Sequence, residues 1–130
     1  LAEINQSLKT LQSDLSKALN FIPVRGDFTR GIFASLYTNC ELNEKELNNL
    51  YQDFYQDAPF TKVTQQNPHL KQVVNTNKCM LHVEKHGDKA FIISAIDNLL
   101  KGASGQAVEN MNLALGIDQC VGLMLKANAF

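Results

Sequence analysis

The sequence predicts an α+β fold: a mostly antiparallel or mixed sheet with helices packed on one face. Three features carry that expectation. The runs KCMLHVEKH and KAFIISAI flank Gly87-Asp88, a two-residue loop whose leading glycine suits a type II′ hairpin turn. Ile4, Leu8, Leu11, Leu15 and Leu19 recur at helical spacing with polar residues between them. Around these, helical and strand-like patterns follow one another in the order α-β-α-β-β-β-β-α-β, with no internal repeat or linker.

The first stripe predicts a helix over residues 2–19. Pro23 and Gly26 break the period and place Arg25, Asp27 and Arg30 in or beside a loop. TRGIFASLYTN is rich in β-branched and aromatic residues and reads as a long strand, with Ile32, Ala34, Leu36 and Thr38 on one face. Asn43, followed three residues later by Glu46, resembles a capping box, and Leu47, Leu50, Tyr51 and Phe54 form the stripe of a helix ending near Asp57. FTKVT and LKQVV are short β-like runs separated by the turn-forming QQNPH, and the hairpin follows them. Asp97 can cap a final helix whose stripe is Leu100, Ala103, Ala107, Met111, Ala114 and Leu115, stopped by Gly116. VGLMLKANAF closes the chain as a short strand or extended tail.

A chain of 130 residues suits one module of ordinary size. Hydrophobic residues at 45% and charged ones at 19% give a globular composition. With 12 basic against 13 acidic side chains there is no electrostatic footprint for nucleic acid or an anionic membrane, and neither is expected as a partner. The odd, scattered cysteines Cys40, Cys79 and Cys120 argue against a zinc site or a disulfide framework and suit a reducing cytoplasm. No apolar run reaches the roughly 18 residues that cross a bilayer, and LAEINQSLKT lacks the order of a signal peptide. The leading leucine, where a methionine is usual, reads as the start of a fragment or a processed product.

No dinucleotide fingerprint, phosphate loop, nucleophile elbow or zinc-protease motif is present, so no self-contained catalytic motif is expected, nor a metal. Cys79 and His82, three apart in a strand, point to opposite faces and cannot form a nucleophile–base pair. Cys40 and Cys120 read as small packing residues, His69 and His86 as solvated, and His82 as a surface strand residue. The loop VRGDFTRG is either an anion site built on its arginines or a solvated turn with an ion pair to Asp27. SAIDNLLKGASGQAVENMNLALG is unusual for the glycines at its helix start, each costing about 1 kcal/mol in a helix interior. They admit either a cofactor phosphate or a tightly packed neighbour, and helix physics alone favours packing.

That same segment strongly resembles the C-terminal region of N-acetyl-gamma-glutamyl-phosphate reductases, relatives of the aspartate-semialdehyde dehydrogenases. The matching residues are Asp97-Asn98-Leu99, Lys101-Gly102-Ala103, Gly105, Gln106-Ala107 and Asn110-Met111-Asn112. FTRGIFASLYT looks like the family's Thr-Arg-Gly-Ile strand, and YQDFYQDAPFTKV resembles the segment before its hairpin. VNTNKCMLHVEKHGDKAFIISAIDN is similar to its paired strands, and LAEI fits the end of its His-x-His-x-Pro-Glu-Ile, with Ala2 where proline is usual. Val24 and Asp27 depart from the pattern, which weakens an anion role for Arg25 and leaves Arg30 as the better candidate.

The resemblance implies a semialdehyde-dehydrogenase C-terminal-domain-like fold and an arginine-biosynthetic enzyme. That enzyme is an NADP(H)-dependent reductase of N-acetyl-glutamyl phosphate, working through a cysteine thioester. It implies that the nucleophilic cysteine, the acid/base histidine and most of the cofactor site lie upstream of these residues. Cys40, Cys79 and Cys120 lack the Gly-Cys-Tyr context of that nucleophile, and the fragment alone is expected to be inactive. By resemblance, Glu3 and Arg30 are substrate-facing or supporting residues, and Asn98, Lys101 and Gly102 border the cofactor. Residues 1–97 are expected to form a substrate-binding and dimerisation domain, and 98–130 a helix and tail that return to the nucleotide domain. The expected partners are the small substrate and further copies, as a homodimer or homotetramer. The alternative is a non-enzymatic interaction module that shares the fold.

Overall fold

The computed structural model describes residues 2–16 and 19–127. It contains helix α1 (Ala2–Leu11), strand β1 (Ile32–Asn39), helix α2 (Glu44–Phe54), strand β2 (Thr61–Thr64), strands β3 (Cys79–His86) and β4 (Lys89–Ile96), and helix α3 (Gly105–Ala114). The sheet order is β1-β4-β3-β2. β1 and β3 both run antiparallel to the central β4, while the edge strand β2 lies parallel to β3. The result is the mixed α+β sheet that the sequence predicts.

Gly87 adopts φ 58° in the hairpin turn, while Asn75 is the only non-glycine described residue at positive φ. A positive first residue followed by a negative second one is the signature of the II′ turn. The turn fixes register, placing His86 opposite Lys89 and Cys79 opposite Ile96. β1 then adds to β4 from Ile32 opposite Ile96 to Asn39 opposite Lys89, which brings residues just before β1 beside those just after β4.

The capping box forms as the sequence predicts: Glu46 N donates to Asn43 Oδ1 at 3.0 Å, and Asn43 N donates to Glu46 Oε2 at 2.9 Å. Leu47 of the capped helix is buried with Val83, Ala90 and Ile92, and Cys40 and Tyr51 close the cluster. Leu47, Val83 and Ile92 each contribute roughly 1.5–3 kcal/mol by burial. Ala90 and Ile92 share a sheet face with Ile96, so α2 and the turn after β4 cover the same side. On the other side, Tyr37 and Phe91 stack with ring centroids 4.7 Å apart, and Tyr37 remains 72% exposed.

Several sequence expectations require correction. α1 ends at Leu11, and Leu15 and Leu19 of the predicted stripe lie beyond it; residues 17 and 18 of that prediction lie outside the described residues. The helix buries no residue, so its apolar stripe has nothing within the described chain to hold a longer helix against. LKQVV contains a 3₁₀ turn at Leu70–Gln72 rather than a strand, because Leu70 instead packs beside Gly31. The described part of VGLMLKANAF, residues 121–127, contains turns and no strand, with Leu123 buried; residues 128–130 lie outside the described residues. Asn112 explains the turns, since its Nδ2 donates to the carbonyls of Gln119 and Val121 and folds the tail back on α3.

His82 also departs from its expected place on the surface, being 8% exposed. Its Nδ1 lies 2.9 Å from the Thr64 carbonyl and its Nε2 2.8 Å from Glu84 Oε1, so burial leaves neither nitrogen unpartnered.

Candidate functional site

The antiparallel register of β1 and β4 assembles a polar knot from residues distant in sequence. Arg30 immediately precedes Gly31 and β1, while Asp97 and Asn98 immediately follow β4. Arg30 Nη2 donates to Asp97 Oδ1 at 3.0 Å and lies 2.9 Å from Oδ2. Gly31 N donates to Asn98 Oδ1 at 2.7 Å. The two contacts tie the start of β1 to the end of β4 beyond the last ladder pair.

Asp97 is 0% exposed and accepts three further hydrogen bonds: Asn75 N at 2.7 Å, Leu99 N at 2.8 Å and Leu100 N at 3.0 Å. Burial pushes its carboxyl up, but the bonds from Asn75, Arg30, Leu99 and Leu100 outweigh burial and hold it below the ordinary carboxylate value. Asp97 therefore remains an anion, which is the state its four donors require. The cap predicted for the last helix is real, with an addition: a π-helical turn, Leu100–Ser104, comes between the cap and α3. Its wide spacing is visible in Gly102 N donating to Asp97 O at 2.9 Å and Ser104 N to Leu99 O at 3.0 Å. Such wide turns recur at functional sites.

A second polar cluster holds α3 to the domain. Glu109 Oε2 accepts from Asn77 Nδ2 at 2.9 Å and from Lys101 Nζ at 2.7 Å. The Lys101 ammonium also lies over the Phe60 ring, 5.6 Å from its centroid. Lys101 is thus committed inside the domain. Gly105 explains one of the glycines: a Cβ there would fall 2.3 Å from Asn77 Oδ1 and 2.9 Å from the Leu100 carbonyl, so this glycine serves packing. Gly102 differs, being exposed, with no atom nearer than 3.5 Å to where a Cβ would stand.

The sequence-derived candidates therefore fall into separate places. Arg30 and Asn98 both belong to the knot, one bonded to Asp97 and the other to Gly31 N, while Gly102 lies on the adjoining turn and Lys101 belongs to the Glu109 cluster. Glu3 is exposed in the first turn of α1 and has no hydrogen bond or ion pair among the described residues. Cys120 is no substitute nucleophile, because burial and the Asp118 carboxylate push its thiol up. Sequence reasoning missed Asn75, Asn77 and Glu109. The signal for the last was available: Gly105, Glu109 and Asn112 recur at helical spacing and form the buried side of α3.

The knot closes a mixed sheet with helical cover on one face and exposed aromatics on the other. The chain matches the family model described as the semialdehyde dehydrogenase dimerisation domain over residues 1–98, and it belongs to that family. Its curated relatives are more particular. It is 59% identical over 130 residues, all of its length, to the N-acetyl-gamma-glutamyl-phosphate reductase of Parabacteroides distasonis. Identity to the proteins of that name from Phocaeicola vulgatus and Azobacteroides pseudotrichonymphae is 57% over 128 residues and 58% over 130 residues, or 98% and 100% of this chain. The chain spans 40% of the length of each of these relatives.

Proposed function

We propose that this chain is the C-terminal, dimer-forming and substrate-facing part of an NADPH-dependent reductase. The reductase converts N-acetyl-glutamyl 5-phosphate to N-acetyl-glutamate 5-semialdehyde and phosphate. The observation that carries the reading is 59% identity across the whole chain to a reductase of that name. In this reading a cysteine thiolate outside the 130 residues displaces phosphate from the acyl phosphate to form a thioester. NADPH supplies the hydride that reduces the thioester to the aldehyde.

The contribution of this chain is binding and positioning. Arg30 uses only Nη2 on Asp97 and keeps part of its side chain exposed, so it retains donors for an anionic substrate. Asp97 fixes the direction of that guanidinium. Glu3, unpartnered on α1, is available to a substrate or to a neighbouring part of the enzyme. For NADP(H), the chain offers a border rather than a cradle. The Lys101 ammonium is taken by Glu109, which leaves exposed Gly102 and the Asn98 amide nitrogen to approach a nicotinamide. Residues 1–97 would serve substrate and partner copy, and 98–130 would pack back on the nucleotide-binding part.

The sheet face opposite α2, on which His82, Ile93 and Ala95 are buried but Tyr37 and Phe33 are exposed, supports self-association. Tyr37, Phe33 and Phe91 lie on it, and exposed aromatic patches of this kind mark protein contacts. The test is phosphate-dependent reduction of NADP by the full-length protein that carries this chain, with the semialdehyde as substrate. Turnover by the full-length protein supports the reading. A full-length protein that assembles but gives no turnover favours the non-enzymatic interaction module.

A further inference from the structure

We propose that the free edge of β1 is the strand through which two copies of this chain join, each β1 pairing antiparallel with the other across a twofold axis. The proposal rests on the self-association reading above and names the contact that makes it.

β1 is one edge of the sheet, with β4 on one side and no strand on the other. The hairpin fixes which of its backbone groups stay open. In a two-residue hairpin the closing pair, here His86 and Lys89, exchanges hydrogen bonds. Phe91, Ile93 and Ala95 then bond toward β3, and Ala90, Ile92, Ser94 and Ile96 toward β1. Cys40 N donating to Asp88 O at 2.9 Å agrees with that phase. The β1 residues opposite, Ile32, Ala34, Leu36 and Thr38, are therefore engaged with β4. Phe33, Ser35 and Tyr37 turn their N–H and C=O outward, and no hydrogen bond reaches those groups among the described residues.

This edge lacks the devices that keep strands apart. IFASLYTN holds no charge and no proline, and its register with β4 runs without a bulge. The opposite edge is guarded, since β2 is only four residues long and exposes Lys62. Ile32 and Leu36, on the α2 side of β1, are 48% and 50% exposed, while Phe33 and Tyr37, on the other side, are 44% and 72% exposed. A contact over one sheet face covers one of these pairs, whereas a strand added at the edge flanks both.

The occupant is a second copy. The family model matched over residues 1–98 is described as a dimerisation domain, and β1 lies within that span. Antiparallel pairing is also its own symmetry mate. Centred on Ser35, it sets each Ser35 against its own copy and lets Phe33 exchange backbone bonds with Tyr37 of the partner subunit, so every open group finds a partner. On one face that pairing brings two aromatic side chains together, and on the other Ala34 meets Leu36 of the partner subunit. Arg30, before the strand, and Lys89, opposite its end, are already paired with Asp97 and Asp88.

Sedimentation of the chain with Ser35→Lys, with Ser35→Glu and with the two mixed tests the proposal, with circular dichroism to follow the fold. Each variant alone sets like charges against each other on the axis and should raise the dissociation constant about tenfold or more. The mixture sets Lys against Glu and should restore pairing as a heterodimer. Amide hydrogen exchange on the wild type needs no variant: as concentration rises, the amides of Phe33, Ser35 and Tyr37 should become protected, while those of Ala34 and Leu36 are protected throughout. A wild-type dimer in which those three amides stay open, or one that both variants leave as tight as before, overturns the edge contact and leaves dimerisation through a sheet face standing. Variants that weaken pairing alone and do not recover on mixing overturn the register centred on Ser35. A wild-type chain that stays monomeric at every concentration overturns the self-association reading itself.

Discussion

Asp97 holds Arg30 across 67 positions of sequence, its fully buried carboxylate 2.9 Å from a guanidinium that keeps some access to solvent. Removing the anion leaves the cation facing a neutral amide and leaves three backbone donors sharing one remaining oxygen. Asp97→Asn should cost about 3 kcal/mol, the lower end for a broken buried pair because Arg30 is not fully enclosed. Urea unfolding of wild type and variant measures it. A loss below about 0.5 kcal/mol would show that the knot adds nothing to the fold.

The same carboxylate sets an acid limb. Burial raises its pKa, but four hydrogen bonds bring it below the ordinary 3.8. A group depressed on folding adds stability that is fully present above its unfolded value and is lost as pH falls through its folded one. Stability traceable to Asp97 should therefore stay level from neutrality to about pH 5 and decline below about pH 4. The difference between wild type and Asp97→Asn should shrink over that lower window, as read by denaturant midpoints at fixed pH steps.

The two glycines at the last helix should separate cleanly. Gly105→Ala would drive a methyl into Asn77 Oδ1 and the Leu100 carbonyl, at 2.3 Å and 2.9 Å, and Asn77 is buried and tied to Glu109. Overpacking of that kind costs about 1–3 kcal/mol. Gly102→Ala meets its nearest atom at 3.5 Å and should be neutral or stabilising by up to about 1 kcal/mol in the chain. If Gly102 borders the nicotinamide, the same change should raise the KM for NADPH in the full-length enzyme.

β1, the capped α2 and the hairpin were legible in the sequence because each is marked locally, by β-branched and aromatic residues, by Asn43 with Glu46, and by Gly87. LKQVV misled because a short apolar run does not say whether a neighbouring strand will accept it, and here Leu70 packs beside Gly31 instead. His82 misled because its partners lie on β2 and two residues along its own strand, which alternation cannot report. Arg30 and Asn98 were singled out through resemblance, whereas the knot that holds both depends on a strand register that links distant positions. Glu3 stayed apart from both, on a helix that buries no residue.

The last helix gives the sharpest separation between amphipathicity and orientation. Its buried side is Gly105, Glu109 and Asn112, while Met111 and Leu115 of the predicted apolar stripe are 51% and 67% exposed. Periodicity predicted a helix here, but Leu100 and Ala103 of its stripe fall in the π-helical turn before α3, and the stripe is not the side that the domain takes. The inward side is settled by hydrogen bonds, from Asn77 and Lys101 to Glu109 and from Asn112 to the tail carbonyls. The apolar side is then free for the nucleotide-binding part of the proposed enzyme. Met111→Glu should change the stability of the chain by no more than about 0.5 kcal/mol, as expected for an exposed site. In the full-length protein the same charge would be buried against the neighbouring part without a counter-ion, at several kcal/mol. Thermal unfolding of the chain and of the full-length protein, each with and without the substitution, compares the two. Equal effects in both would mean that the outward stripe meets nothing, and that α3 does not dock where its exposed residues point.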